Sequence, residues 1–195
     1  MADVALNILV IDDNAARASI IEEGLKEAGH SAVTVITDMR QLLAQIVRAD
    51  PDVIFIDLEN PNRDVLEQMF QVSRTVQRPV AMFVDQSDKA SIEAAIDAGV
   101  SAYVVNGMRK ERVKPILDMA ISRFNAFHRL REELDQAKQA LADRKIIDKA
   151  KGILMASRKI SEEDAYALLR KTAMNESRRM ADVARSLVTA AKLLG

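Results

Sequence analysis

The sequence has 195 residues, of which 49% are hydrophobic and 29% are charged, and its formal net charge at pH 7 is −1. It contains no cysteine, which excludes disulfides, iron–sulfur clusters and thiolate zinc sites. No apolar run approaches the ~18 residues of a membrane span, so we expect a cytoplasmic protein with no membrane partner.

The small net charge hides an asymmetry along the chain. Residues 1–141 hold 16 Lys/Arg against 22 Asp/Glu, whereas residues 142–195 hold 12 against 7. An acidic front and a basic rear indicate two tasks on one chain, with the rear a candidate polyanion binder. Two solvated surfaces of unequal composition would give the same counts, so charge alone leaves both interpretations open.

Residues 1–125 alternate between short apolar runs and segments of helical periodicity. The runs are rich in β-branched residues and too short for helices: Ile8–Ile11, Val33–Ile36, Val53–Ile56, Val80–Val84 and Tyr103–Val105. Helical periodicity is found in residues 15–28, 39–47, 65–76, 90–98 and from Met108 onward. This alternation predicts an α/β domain with a five-stranded parallel sheet covered on both faces, the flavodoxin-like architecture.

A predicted coiled-coil helix, residues 126–141, links this domain to the rear of the chain. Its apolar side chains step by 3 and 4 residues along one seam: Phe127, Leu130, Leu134, Ala137 and Leu141. A helix packed on its own domain would show the same seam. Because Glu and Lys flank the seam, we favour a short coiled coil that makes the protein a homodimer.

The rear, residues 142–195, has no strand signal and predicts a small all-α bundle of three helices. Ser161 is a good N-cap for the second helix, and the acidic first turn that follows it favours a helix start at the same place. Asn175 or Ser177 is expected to cap the third helix.

Acidic residues follow two strands of the predicted sheet. Asp12 and Asp13 come directly after the first strand and Asp57 closes the third, and these strands are neighbours if the order is 2-1-3-4-5. Three carboxylates at one edge repel one another and favour a divalent cation, and oxygen ligands suit Mg²⁺. Three solvated loop aspartates are the alternative, which the placement at two strand ends makes the weaker one.

These acids carry a resemblance to a known family. The stretches "VIDDN" and "VIFIDLENP" resemble the receiver domain of bacterial response regulators, over roughly residues 6–125. The resemblance implies that Asp12, Asp13 and Asp57 hold Mg²⁺ and that Asp57 is the phosphate acceptor, with the ion neutralising charge on the phosphoryl oxygens.

The switch positions of this receiver-like domain are atypical. Receivers usually carry Ser or Thr at the end of strand four and Lys followed by Pro at the end of strand five, where this chain has Val84 and Asn106-Gly107. Valine cannot donate a hydrogen bond, and asparagine brings no charge. Tyr103 occupies the place of the aromatic switch residue, and without a hydroxyl at position 84 we expect it to have nothing to follow.

The rear carries a second resemblance, through "RKIIDKAKGILMASRKISEEDAYALLRKTAMNESRRMADVA". Over roughly residues 140–194 it resembles the ANTAR domain, an RNA-binding antitermination module. The resemblance implies that the partner is a leader RNA with a double hairpin, whose stabilisation prevents a terminator from forming. Gly152 costs about 1 kcal/mol within a helix, so another helix or a ligand is expected to approach it closely. The basic residues near it and on the later helices are candidate RNA contacts: Arg144, Lys145, Lys149, Lys151, Arg170, Arg178 and Arg179.

Receiver, coiled coil and bundle together resemble nitrate/nitrite antiterminators of the NasT type, which implies control by a nitrate-sensing partner protein rather than by phosphorylation. The alternative is a phosphorylation-controlled response regulator acting on DNA. A helix-turn-helix often has Gly in its turn, and the junction 174–177 has none. A metal-dependent phosphohydrolase would need an assisting Lys, Ser or Thr at the strand ends, so we expect no enzymatic activity.

Overall fold

The computed structural model describes residues 6–59, 61–106 and 109–194. The chain divides into two compact units, Met1–His128 and Arg129–Gly195. The first unit has two hydrophobic cores and the second unit has one. The division of the chain into three parts, with a separate coiled-coil linker at residues 126–141, stays a prediction.

The first unit is built on a five-stranded parallel sheet. Its strands are β1 (Ile8–Ile11), β2 (Val33–Ile36), β3 (Val53–Leu58), β4 (Val80–Val84) and β5 (Ala102–Val105). Their spatial order is β2-β1-β3-β4-β5, with all four pairings parallel. Every residue of β1, β3 and β4 is buried, as expected for a sheet covered on both faces. The predicted fold class and strand order are confirmed.

Helices follow the strands in the order that the periodicity predicts. The described helices of this unit are α1 (Ala15–Glu27), α2 (Leu42–Ala49), α3 (Arg63–Thr75), α4 (Lys89–Asp97) and the start of α5, which begins at Lys110. The helix α2 begins later than predicted, because Gln41 has a left-handed backbone with φ 52° that no α-helix can include. The predicted start of α5 at Met108 lies outside the described residues.

Alternate side chains of the strands enter two cores, one on each face of the sheet. Leu9 and Ile56 enter the core formed with α2, α3 and α4, whereas Val10 and Phe55 enter the core formed with α1 and α5. On the second face α1 packs closely on α5 at Gly24, where an added Cβ would lie 2.7 Å from Cγ2 of Val113. A larger residue at this position would force the Val113 side chain or one of the two helices to shift.

The second unit is entirely helical in its described part. The helix α5 continues to Arg158, 49 residues from its start, and α6 (Glu162–Asn175) and α7 (Met180–Leu194) follow. Small and apolar residues of all three helices form its core: Ala150, Leu154, Ala165, Leu169, Ala173, Val183, Ala184 and Val188. None of the helices in the described ranges is long and apolar enough to cross a membrane.

The helix ends of the second unit differ from the prediction at one junction. Ser161 caps α6 as predicted, since its Oγ accepts a hydrogen bond from the backbone N–H of Asp164 at 3.0 Å. The predicted caps of α7 are wrong. Asn175 ends α6, and Ser177 lies in the turn with a left-handed φ of 52°. The carbonyl of Arg179 accepts the first backbone bonds of α7.

Candidate functional site

The carboxyl ends of β1 and β3 bring two acids to one edge of the sheet. The register pairs Ile11 with Ile56, so Asp12 and Asp57 follow on neighbouring strands. Both are buried, with 0% and 3% of their surface exposed. Asp13 follows Asp12 into the turn before α1 and is exposed. These three acids at one edge are called the acidic pocket below.

A guanidinium that the sequence analysis missed lies within the acidic pocket. Arg17 is the third residue of α1 and lies in its first turn, and the side chain of Asn14 caps the start of this helix. Its Nη2 donates to Asp12 Oδ1 at 2.9 Å and to Asp13 Oδ1 at 2.8 Å. Its Nε lies 3.4 Å from Asp12 Oδ2 and 3.9 Å from Asp57 Oδ2. The sequence contains a signal for this contact, because Arg17 follows Asp13 by four positions at the start of a predicted helix.

The remaining nitrogen of the guanidinium faces a fourth carboxylate. Arg17 Nη1 donates to Glu59, which follows β3. Asp13, Asn14, Arg17 and Glu59 line an open, polar cavity of about 570 Å³ beside the pocket. The guanidinium of Arg17 therefore forms part of the cavity wall, and the buried Asp12 binds it from the side of the protein interior.

The surroundings of the buried Asp57 carboxylate disfavour its charged form more than they favour it. Burial raises the pKa of Asp57 to about 6, and the negative charges of Asp12 and Asp85 act in the same direction, whereas Arg17 opposes them. The hydrogen bond to Asp12 raises the pKa of the Arg17 guanidinium above its ordinary value. Arg17 thus stays charged at any working pH and is bound more firmly to Asp12 than to Asp57.

Two of the atypical switch positions lie on strands, Val84 on β4 and Tyr103 on β5, and both side chains contact the core. Val84 is fully buried, and Tyr103 packs against the same core. The hydroxyl of Tyr103 forms a 2.9 Å hydrogen bond with Ser87 Oγ. A hydroxyl partner is therefore present three residues after position 84. The expectation that Tyr103 has nothing to follow at position 84 stays a prediction.

Asn106, directly after β5, takes a conformation that explains its residue type. Its φ is 76°, in the left-handed region that Asn tolerates better than most residues with a side chain. It is exposed, and no hydrogen bond joins it to Asp57 among the described residues. Gly107, which completes the predicted turn, lies outside them.

Three of the seven candidate RNA contacts are held by acids of their own unit. Lys151 is paired with Asp148 and Glu162, both at 2.7 Å, and only 15% of its side chain is exposed. The hydrogen bond to Asp148 raises the pKa of Lys151, with a second contribution from Glu162. Two arginines before α7 are also paired: Arg178 with Glu176 at 2.9 Å, and Arg179 with Asp143.

The other four candidates are exposed on α5 and α6: Arg144, Lys145, Lys149 and Arg170. Within residues 109–194, Lys145, Lys149 and Arg170 make no ion pair or side-chain hydrogen bond. Arg144 acts on Asp148 only through its charge. The described second unit therefore separates its cations into a paired and an unpaired set.

The predicted dimer seam lies on an exposed stretch of α5. Four of its side chains are more than half exposed: Phe127 at 64%, Leu130 at 62%, Leu134 at 52% and Leu141 at 54%. Ala137 is exposed as well. Scattered apolar residues are normal on a surface, but a regular stripe of this kind on one helix is typical of a contact surface.

Two family models match the chain. The response regulator receiver domain matches residues 8–118, more than half of the chain, and the ANTAR domain matches residues 135–188. The chain therefore belongs to the response regulator receiver family and carries an ANTAR domain. The two resemblances that the sequence analysis drew are confirmed.

Among individual proteins, the transcriptional regulatory protein PdtaR of Mycobacterium tuberculosis is 27% identical over 183 residues, which cover 94% of this chain and 89% of PdtaR. The nitrate regulatory protein of Klebsiella oxytoca is 38% identical over 76 residues, but these cover 39% of this chain and 19% of that protein. The nitrate-type likeness is thus partial, whereas the PdtaR likeness spans almost the whole chain.

Among solved structures, the signal receiver domain of a modulated diguanylate cyclase from Desulfovibrio desulfuricans has a TM-score of 0.53. It is 14% identical to this chain, and the match covers 63% of this chain and 98% of that one. At this level of identity the likeness concerns the fold alone.

Receiver domains generally bind Mg²⁺ at an acidic pocket, so the residues here can be tested against that ion. Mg²⁺ requires oxygen ligands in near-octahedral geometry. The described residues contain no group of three or more His, Asp or Glu side chains arranged to hold a metal ion. The carboxylates of Asp12 and Asp13 instead share one guanidinium nitrogen. In this arrangement the pocket does not fit Mg²⁺.

Proposed function

We propose that this chain is a transcription antitermination regulator that binds leader-RNA hairpins through residues 142–195. The observation that carries the proposal is the ANTAR match at residues 135–188, on the part of the chain with 12 basic residues against 7 acidic ones. A compact basic unit of this kind is suited to a polyanion, and phosphate contacts supply most of the affinity in such complexes.

The unpaired cations are the proposed phosphate contacts. Lys145, Lys149 and Arg170 can reach RNA without breaking an ion pair, whereas Lys151 and Arg179 would have to exchange one partner for another. The energetic gain from a phosphate is greater for a cation that starts with water alone.

Gly152 and Tyr166 are two further candidate contacts to RNA. An added Cβ at Gly152 would meet nothing within 4 Å, so the expected approach of another helix is not found in the described chain, and a ligand is the proposed neighbour. Tyr166 is the one aromatic residue of residues 142–195 and is 45% exposed. It can stack on one unpaired base of a hairpin loop.

We further propose that the functional form is a homodimer joined through the seam on α5. A double hairpin offers two loops, and two copies of the basic unit would bind one loop each. A parallel or antiparallel pairing of the exposed stripe would bury its four large apolar side chains. Linking two weak sites in this way raises the overall affinity without any new contact to RNA.

Control by a partner protein, rather than by phosphorylation of Asp57, completes the proposal. A ligand shifts a conformational equilibrium only through contacts that differ between the two states. Val84 cannot donate to a phosphoryl group, and Asn106 brings no cation. A nitrate-binding sensor that sequesters the chain is the proposed partner, in keeping with the name of the Klebsiella protein that part of the chain matches.

RNA binding is tested by mobility shifts with a leader RNA carrying the double hairpin, the same RNA with scrambled loops, and a promoter DNA of equal charge. We expect the intact hairpin to bind most tightly, and its affinity to fall steeply with salt because phosphate contacts release counterions. Tighter binding to promoter DNA would instead support the DNA-binding alternative.

Control of the regulator is tested with Asp57→Asn, which keeps the shape of the side chain and removes the phosphate acceptor. In cells carrying a leader–reporter fusion, we expect antitermination and its response to nitrate to stay nearly intact. A silent reporter, in a variant that is folded and still bound by its sensor, would show that phosphorylation of Asp57 matters.

A further inference from the structure

The acidic pocket contains a cation of its own, and the surrounding charges show why it is needed. Asp12 is fully buried, and 4% of the Asp57 side chain is exposed. Charged groups buried in this way persist only when they are compensated by opposite charge and hydrogen bonds. Glu59 and Asp85 add further negative charge near them. Arg17 is the one described basic residue within ion-pair distance of Asp12 or Asp57.

The geometry of Arg17 uses the guanidinium on three sides. One nitrogen bridges Asp12 and Asp13, a second faces Asp12 and Asp57, and the third donates to Glu59. Asp12 Oδ1 also accepts the backbone N–H of Asn14 at 2.8 Å. Both oxygens of Asp12 and one oxygen of Asp13 therefore already accept hydrogen bonds, so the carboxylate of Asp12 is satisfied without a metal ion.

We propose that Arg17 is the resident cation of the acidic pocket, standing in place of a divalent metal, and that the intact pocket does not bind Mg²⁺ at millimolar concentration. A guanidinium tethered to α1 is present at high effective concentration, whereas Mg²⁺ must lose part of a tightly held water shell to enter. The two cations compete for the same oxygens of Asp12 and Asp13, and like charges at that separation exclude each other.

The proposal does not depend on RNA binding, because it concerns the first unit and its readout is metal binding. It implies that removing the guanidinium converts the acidic pocket into a Mg²⁺ site. The probe is MgCl₂ alone, titrated by calorimetry into the full-length wild type and the full-length Arg17→Gln variant. We expect no saturable heat for the wild type at up to ~10 mM, and binding at least about tenfold tighter for Arg17→Gln.

Thermal unfolding gives a second readout on the same proteins. Arg17→Gln should unfold at a lower temperature than the wild type without Mg²⁺ and regain stability when Mg²⁺ is added, whereas the wild type should not respond. The matched control is Arg40→Gln, which removes a guanidinium from an exposed pair with Asp38 at 2.7 Å. This control should bind Mg²⁺ no better than the wild type.

Three results would overturn the proposal. The wild type could bind Mg²⁺ as tightly as Arg17→Gln does. Arg17→Gln could fold and still show no Mg²⁺ binding. Arg17→Gln could also stay unfolded in saturating Mg²⁺, which would mean that the metal cannot replace the guanidinium at all.

Discussion

In the acidic pocket one cation serves several acids, since Arg17 contacts Asp12, Asp13 and Glu59 at once. In the second unit the relation is reversed, because a few acids hold some of the cations and leave Lys145 and Lys149 to the solvent. The net charge of a region therefore does not show which of its charged side chains are free to bind a ligand. A surplus of acids can be compensated by one internal cation, while a modest surplus of bases can leave several cations without an acidic partner.

The largest effect is expected where the shared cation is removed. Arg17→Ala, measured without divalent ions, should lower the free energy of unfolding of the first unit by about 3 kcal/mol, because it leaves the buried Asp12 uncompensated. Urea unfolding followed by tyrosine fluorescence measures this in a Tyr166→Phe background, where Tyr103 is the one remaining tyrosine.

The matched control for that measurement is Arg40→Ala, in the same background. Arg40 forms an exposed pair with Asp38, and such pairs contribute less than about 1 kcal/mol. Equal losses for the two variants would mean that Arg17 is an ordinary surface residue and that the comparison between the two regions fails.

The next largest effect is expected at the seam, where apolar rather than charged surface is exposed. Leu134→Lys should weaken dimerisation by about 2 kcal/mol, roughly 30-fold, because it places a charge in an apolar contact. Sedimentation velocity over a range of concentrations measures the shift toward monomer. Gln136→Lys, an exposed position on the same helix off the seam, is the control. A Leu134→Lys protein that stays dimeric would contradict the intermolecular seam.

A smaller effect distinguishes paired from unpaired cations of the second unit. Lys149→Gln should weaken leader-RNA binding by roughly 5-fold and lower the salt slope by about 0.7–0.9, since one phosphate contact is lost. Lys151→Gln should weaken binding less, because Lys151 is already paired with Asp148 and Glu162. Filter binding at several salt concentrations measures both variants. A larger loss for Lys151→Gln would reverse the assignment of the two sets.

The smallest effect concerns the open glycine of α5. Gly152→Ala should raise the free energy of unfolding of the second unit by about 0.5–1 kcal/mol. Alanine restricts the unfolded chain more than glycine does, and its Cβ would have no side chain or other element within 4 Å. Thermal unfolding followed by circular dichroism measures it. A loss of stability would show that another part of the protein packs on this position.

Much of the fold could be predicted because its signals are local. The β-branched runs that became β1, β3 and β4 are continuous in sequence, and the acids of the pocket follow strand ends directly. Ser161 is predictable as a cap from its residue type and from the acidic turn that follows it. The start of α2 and the cap of α7 could not be predicted from the sequence. Gln41 and Ser177 have left-handed backbones, and neither glutamine nor serine is a residue type that usually adopts one.

The sequence by itself determined the parallel sheet, the edge at which three acids meet, and the basic balance of the rear, because periodicity and composition act over a few neighbouring residues. Only the tertiary structure decided which charges meet. Arg17 reaches Glu59 across 42 positions of the chain, Arg179 reaches Asp143 across 36, and Gly24 must admit Val113 of another helix. Such partners are set by how whole elements pack, since packing brings together side chains that no local pattern relates.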